Sequence, residues 1–254
     1  RRLLDKHRPR EGQVDFRGWE WRYLWQQARG DASMEFLRRE SQIVSLTSSP
    51  DGRWLAAGVA HRGGLSVIDL TGRQPETRLA GDSERLHAAF SPTDPLLAYT
   101  AVKEDADGTR RGSLHLWDTD RRALIASRPL DAECVGLAMA RDGKSLVTST
   151  SDGDAGTLTL WRLPGGDLRR SFPSRQFGGE IAPEAFAATR DLDLAAYALP
   201  RRFIRLVDLA GGGDVLWEPE VVRQFITALA FSPDGKTLAV AGGFGDSDIA
   251  LWDV

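Results

Sequence analysis

Five segments of the chain repeat one plan: a strand, a tight turn, a second strand, a variable hairpin and a third strand. They lie near residues 43–70, 86–119, 134–163, 184–209 and 226–254. The third strands end in Val67-Ile68-Asp69, Leu116-Trp117-Asp118, Leu160-Trp161-Arg162, Leu206-Val207-Asp208 and Leu251-Trp252-Asp253, and their middle residues are spaced by 49, 44, 46 and 45. The first turns read Ser49-Pro50-Asp51-Gly52, Ser91-Pro92-Thr93-Asp94, Ala140-Arg141-Asp142-Gly143, Thr189-Arg190-Asp191-Leu192 and Ser232-Pro233-Asp234-Gly235. Pro presets φ where such a turn begins and Gly supplies positive φ where it ends. Short alternating apolar runs flank the turns, which is the spacing of strands rather than helices. A small sheet that is apolar on both faces is not stable alone, so the repeat demands an array of sheets that cover one another.

A period of about 40 to 45 residues with a terminal Trp-Asp resembles the WD40 repeat, and the resemblance covers roughly residues 34–254. It implies an all-β fold, a WD40-type β-propeller with five recognisable blades that form part of a larger ring. A short N-terminal helical segment precedes them. The expected division is a helical junction at 1–32 and the propeller at 33–254. Trp117, Trp161 and Trp252, with Asp118 and Asp253, become the structural residues of the blades, the Trp side chains packing between sheets. The sequence also departs from the family pattern. Ile68 and Val207 stand where Trp is usual, Arg162 replaces the final Asp, and the Gly-His pair before the first strand is absent, with Gly81-Asp82 in one such place. A buried His-Ser-Asp-Trp hydrogen-bond network is therefore not expected, and apolar contact must carry blade packing. Met34–Arg38 alternates like a strand and in one reading closes a five-bladed ring; in the favoured reading, blades beyond residue 254 complete it.

The first segment has a different texture. Asp15 caps an expected helix running through Arg29, with Gly30 as its C-terminal stop, and Trp19, Trp21, Tyr23 and Trp25 lie on more than one face of it. The run Leu3-Leu4-Asp5-Lys6-His7-Arg8-Pro9, followed by Asp15–Trp25, resembles the junction that precedes WD40 arrays in large multidomain bacterial proteins, many of them with an upstream serine/threonine kinase domain and a membrane span. That resemblance implies the C-terminal sensor or scaffold part of such a protein. No kinase residue is present in the chain.

Composition narrows the function. With 33 Lys plus Arg against 36 Asp plus Glu, the formal charge is -3, which lacks the concentrated basic footprint that nucleic acid requires. Residues 1–40 carry ten bases and seven acids, the remainder 23 and 29. No apolar stretch approaches the roughly 18 residues of a membrane span. Cys134 is the sole cysteine, so neither an intrachain disulfide nor a Cys-based zinc site can form. The compartment stays open, cytoplasmic or beyond an upstream membrane span. His7, His61, His87 and His115 are isolated, and neither a nucleophile elbow nor a Walker loop is present. We therefore expect no catalytic residues, no metal and no cofactor; the alternative is an enzyme with its site at the channel mouth.

One constellation recurs in register. The hairpins between second and third strands carry Asp105 and Asp107, Asp152 and Asp154, and Asp246 and Asp248. Asp favours tight turns by accepting backbone N–H bonds, and that is the plain reading. The functional reading is an acidic arc on one rim that attracts a basic protein or peptide.

Overall fold

A computed structural model describes residues 37, 39, 41–60, 63–73, 75–79, 86–104, 108, 110–152, 155–175, 185–199, 203–212, 215–217, 226–242 and 249–254. The chain divides into Arg1–Glu40 and Ser41–Val254. The expected helix from Asp15 to Arg29 lies outside the described residues, and of the Met34–Arg38 strand only Leu37 is described.

From Ile43 onward the described secondary structure is antiparallel β-sheet. Blade 1 comprises β1 (Ile43–Ser48), β2 (Trp54–Val59), β3 (Gly64–Asp69) and β4 (Thr77–Leu79), paired in chain order. Blade 2 repeats this with β5 (Ala88–Phe90), β6 (Leu96–Glu104), β7 (Arg110–Asp118) and β8 (Ala123–Pro129). Blade 3 has β9 (Glu133–Met139), β10 (Ser145–Ser151), β11 (Ala155–Arg162) and β12 (Asp167–Arg175). Blade 4 has β13 (Phe186–Ala188), β14 (Leu194–Leu199), β15 (Phe203–Asp208) and β16 (Val215–Trp217). Blade 5 shows three strands among the described residues, β17 (Ile226–Phe231), β18 (Thr237–Gly242) and β19 (Ile249–Asp253). First strands meet in sequence, β1 with β5, β5 with β9, β9 with β13 and β13 with β17, so each blade packs between its chain neighbours.

The turn joining first and second strands is built the same way in several blades. Gly52, Gly143 and Gly235 close it at φ of 71°, 67° and 72°, a conformation that side chains with a Cβ resist. Blade 4 has Leu192 there at φ 57°. Leu192 is buried in the apolar layer between blades 3 and 4, and that burial offsets the left-handed backbone. A hydroxyl at the first turn position secures the second strand: the N–H groups of Trp54, Leu194 and Thr237 donate to Ser49 Oγ, Thr189 Oγ1 and Ser232 Oγ at 2.8, 3.1 and 3.0 Å.

Period two sends each strand's side chains alternately toward the preceding and the following blade. The faces differ in size. Toward the preceding blade, the rows across the first three strands are Phe90, Leu97, Trp117 in blade 2, Met139, Leu146, Trp161 in blade 3, and Phe231, Leu238, Trp252 in blade 5. Toward the following blade they are Ala89, Ala98, Leu116 in blade 2, Ala138, Val147, Leu160 in blade 3, and Ala187, Ala196, Leu206 in blade 4. In blades 2, 3 and 5 bulky backward rows thus meet shallow forward faces, whereas the equivalent row of blade 4 is Ala188, Ala195, Val207; the four apolar layers each draw on two neighbouring blades.

Trp117 and Trp161 are buried in those layers at 2% and 6% exposure. Trp252 packs against blade 4 and is half-buried. The departures keep their places: Ile68 and Val207 are also buried. One polar link accompanies the packing, the Trp161 indole N–H donating to Thr148 Oγ1 at 2.9 Å.

Candidate functional site

Of the acidic arc, the structure describes Asp152 alone, exposed just beyond β10. Asp105, Asp107, Asp154, Asp246 and Asp248 lie outside the described residues. The hairpins that would carry the arc leave one end of each blade, as the strand pairings require.

The opposite rim, where the other two turns of each blade emerge, is described in more detail. Asp51, Asp142 and Asp234 sit in the first turns and accept the backbone N–H groups of Arg53, Lys144 and Lys236 at 3.0, 2.8 and 3.2 Å. The Ser49 hydroxyl and the Arg53 N–H hold the Asp51 carboxyl below its usual range, and the Ser232 hydroxyl does the same for Asp234. The acids that end the third strands cap the next turn. Asp69 Oδ1 accepts from the Thr71 N–H at 2.9 Å, Asp118 Oδ1 from those of Asp120 and Arg121 at 2.9 and 2.8 Å, and Asp208 Oδ1 from Gly211 at 2.6 Å. Hydrogen bonding from the Thr71 hydroxyl lowers the Asp69 pKa most, despite its burial. Where Arg162 replaces the acid, its own carbonyl accepts from the Gly166 N–H at 2.9 Å. Asp253 is exposed and makes no side-chain hydrogen bond among the described residues.

Two depressions open on this rim. The smaller, about 210 Å³, lies between blades 1 and 2 and includes Asp51, Trp54, Phe90 and Thr93. The larger, about 640 Å³, lies between blades 2 and 3, with Asp118, Arg121, Ile125, Lys144, Leu163 and Pro164 in its wall. Both contain Asp94, Pro95, Leu96 and Asp120, so the two adjoin along blade 2, and the larger is a groove between blades 2 and 3. Its charges are partly free to engage a ligand. Asp120 is 62% exposed and meets Arg53 at 3.7 Å, while Arg53 also lies 3.8 Å from Asp69 and stacks 4.7 Å above the Trp54 ring. Arg121, 82% exposed, reaches Asp118 at 3.6 Å. Ile125 adds an exposed apolar surface. Such a groove can seat an apolar side chain beside Pro164 and pair a neighbouring cation with Asp94 or Asp120. Sequence reasoning missed it because its walls come from turns as far apart as Asp94 and Lys144. The register of the repeats was the available signal, since equivalent turns of adjacent blades must stand side by side.

The titratable groups of the interior have a structural place. Cys134 is fully buried and its thiol is pushed up to about 12, chiefly by desolvation. His115 stacks on Tyr99 with ring centroids 4.9 Å apart and contacts Ser113 Oγ through Nε2 at 2.8 Å. Burial lowers the His115 pKa and raises that of Tyr99. Among the described residues no group of three or more His, Cys, Asp or Glu is arranged to hold a metal ion, and no helix is long and apolar enough to cross a membrane.

Residues 222–253 match the family model described as WD domain, G-beta repeat. No curated protein matches the chain by sequence. Among solved structures, the β-propeller domain of Cps50 (Swd1) from Myceliophteria thermophila is similar, with a TM-score of 0.68 at 14% identity, over 86% of this chain and 72% of that one. The likeness is one of fold, and its four-stranded units are those that the repeat spacing predicts. The last unit thus carries the repeat signature, and the blades stacked in chain order have the β-propeller fold.

Proposed function

We propose that the chain is a noncatalytic scaffold that binds a protein segment combining apolar and basic side chains. The groove between blades 2 and 3 supports this reading, because it sets exposed carboxylates at Asp94 and Asp120 beside the apolar Ile125 and Pro164. Carboxylates on a concave rim raise the encounter rate of a basic ligand, and added salt weakens the effect. The acidic arc of the opposite rim has the same charge logic and the same class of partner. In context, the Leu3–Trp25 run supports placing the chain as the C-terminal interaction region of a larger bacterial signalling protein with a serine/threonine kinase domain upstream.

The test is fluorescence anisotropy of a library of short peptides mixing Lys or Arg with Leu or Pro, measured at two salt concentrations. The expected result is salt-sensitive binding that falls about tenfold in an Asp94→Asn, Asp120→Asn variant, the loss of roughly one or two charge pairs. An Asp107→Asn, Asp154→Asn, Asp248→Asn variant reports on the opposite rim. Binding lost only in that variant would move the site to the arc. No binding by any peptide, together with turnover in a hydrolase and lyase substrate screen, would replace the scaffold by the enzyme alternative.

A further inference from the structure

The two depressions on either side of blade 2 differ in charge and in size. The wall between blades 1 and 2 holds three acids, Asp51, Asp94 and Asp120, and no base. The wall between blades 2 and 3 also holds three acids but includes Arg121 and Lys144, with Ile125, Leu163 and Pro164 as apolar surface. At about 210 Å³ the first is sized for one side chain, whereas at about 640 Å³ the second reaches the range of small-molecule clefts. Asp51 keeps an oxygen for a ligand, since the Ser49 hydroxyl and the Arg53 N–H both donate to its Oδ1. The Arg53 guanidinium is shared between Asp120 and the buried Asp69, so it leaves the acids of the smaller depression in excess. Exposed proline rings edge both depressions, Pro50, Pro92 and Pro95 on one side and Pro95 and Pro164 on the other.

Resting on the binding reading above, we propose that the ligand docks as a polyproline II segment. Its basic side chain sits between blades 1 and 2, and an apolar side chain three residues away sits between blades 2 and 3. Spacing selects this conformation. The depressions are separated by one sheet, and stacked sheets lie about 10 Å apart. A polyproline II chain rises about 3.1 Å per residue with three residues per turn, so side chains i and i+3 share a face about 9 Å apart. An extended strand brings i and i+2 to one face at about 7 Å, and i and i+4 at about 13 Å. An α-helix reaches the span only across two turns, i to i+7, and is the rival in the test. Charge complementarity places the cation, which meets acids alone on one side of blade 2 and the bases Arg121 and Lys144 on the other. Rigid apolar edges suit a segment that is ordered before it binds.

The test is fluorescence anisotropy of labelled peptides in which Arg and Leu stand two, three or four positions apart in a proline frame, in both chain orders. A glycine frame at the three-residue spacing and a helical peptide with the pair at i and i+7 complete the set. The three-residue proline peptide is expected to bind about tenfold or more tighter than the other spacings and than its glycine counterpart, which must be ordered on binding. Replacing its Arg by neutral citrulline should weaken binding, and that weakening should shrink in Asp51→Asn, where the amide oxygen preserves the turn. Replacing its Leu by Ala should likewise cost less in Ile125→Ser than in the native chain. The spacing series needs no protein variant, so it decides the question even if a variant fails to fold. Tightest binding at two or four positions, or by the helical peptide, would overturn the proposal, as would equal binding at every spacing. In each of those cases a loss in the Asp94→Asn, Asp120→Asn variant would leave the scaffold reading standing. An undiminished citrulline effect in a folded Asp51→Asn chain would overturn the placement of the cation. No binding by any peptide would overturn both readings.

Discussion

Truncating Trp117 should cost far more than truncating Trp252, although the two occupy the same position of the repeat. Trp117 is 2% exposed and meets Trp54 edge-to-face, with ring centroids 6.3 Å apart and planes at 87°. A tryptophan buried to that degree removes roughly 200 Å² from water, which at about 25 cal/mol per Å² is about 5 kcal/mol. Alanine retains a small part of this, and the aromatic pair adds about 1 kcal/mol, so Trp117→Ala should destabilise by about 3 to 5 kcal/mol. Trp252 packs against blade 4 and is half-buried. Its loss should cost about half as much by the same area scaling. Urea unfolding followed by far-UV circular dichroism measures both, since the signal comes from the sheets rather than from the removed indole. A loss below about 1 kcal/mol for Trp117→Ala, or equal losses at the two positions, would refute the assignment of Trp117 to a packed inter-blade layer.

Three further outcomes follow from particular contacts. Gly136→Ala would set a Cβ 2.4 Å from Phe186 Cγ, across the layer between blades 3 and 4, and should cost about 1 to 3 kcal/mol by overpacking, read as a lower urea midpoint. Cys134 should resist thiol reagents at neutral pH until the chain unfolds. Its raised pKa means that stability is fully present below about pH 9 and falls as pH rises toward about 12, which unfolding curves across that window will measure. Asp51 should titrate below the ordinary carboxylate range and move back upward in Ser49→Ala, as followed by carboxyl NMR. Because its pKa is depressed by folding, its contribution is present above the ordinary value of 3.8 and lost as pH falls through the native one.

How much of this was legible in the sequence follows from the distance over which each feature is decided. The turns were legible because Pro50, Gly52, Pro233 and Gly235 act within four residues. The stacked array was legible because repetition of two-faced sheets demands neighbours that cover them, and the propeller followed from the resemblance to the WD40 repeat. The groove was not, since Asp94 and Lys144 meet only after blades 2 and 3 have stacked. Nor was the difference between Trp117 and Trp252, which have the same local sequence, Leu-Trp-Asp. What separates them is the depth of their packing against the preceding blade, a property of the folded array and not of the repeat.

The terminal acid of the repeat gives the same lesson in reverse. From the motif alone, Asp118 and Asp253 carry equal weight, and Arg162 reads as a defect. In the folded chain the acid acts locally. A short carboxylate at the end of a third strand caps the two N–H groups that the following turn leaves without strand partners, as Asp118 does for Asp120 and Arg121. In blade 3 the position equivalent to Asp120 is Pro164, which has no N–H to cap, and the Arg162 carbonyl accepts from Gly166. Substitution at this position is then tolerated wherever the turn supplies its own closure. Trp161 in the same unit keeps its burial and its bond to Thr148, so the Trp and the Asp of the signature are separable: one serves the layer between blades, the other a turn within its own blade.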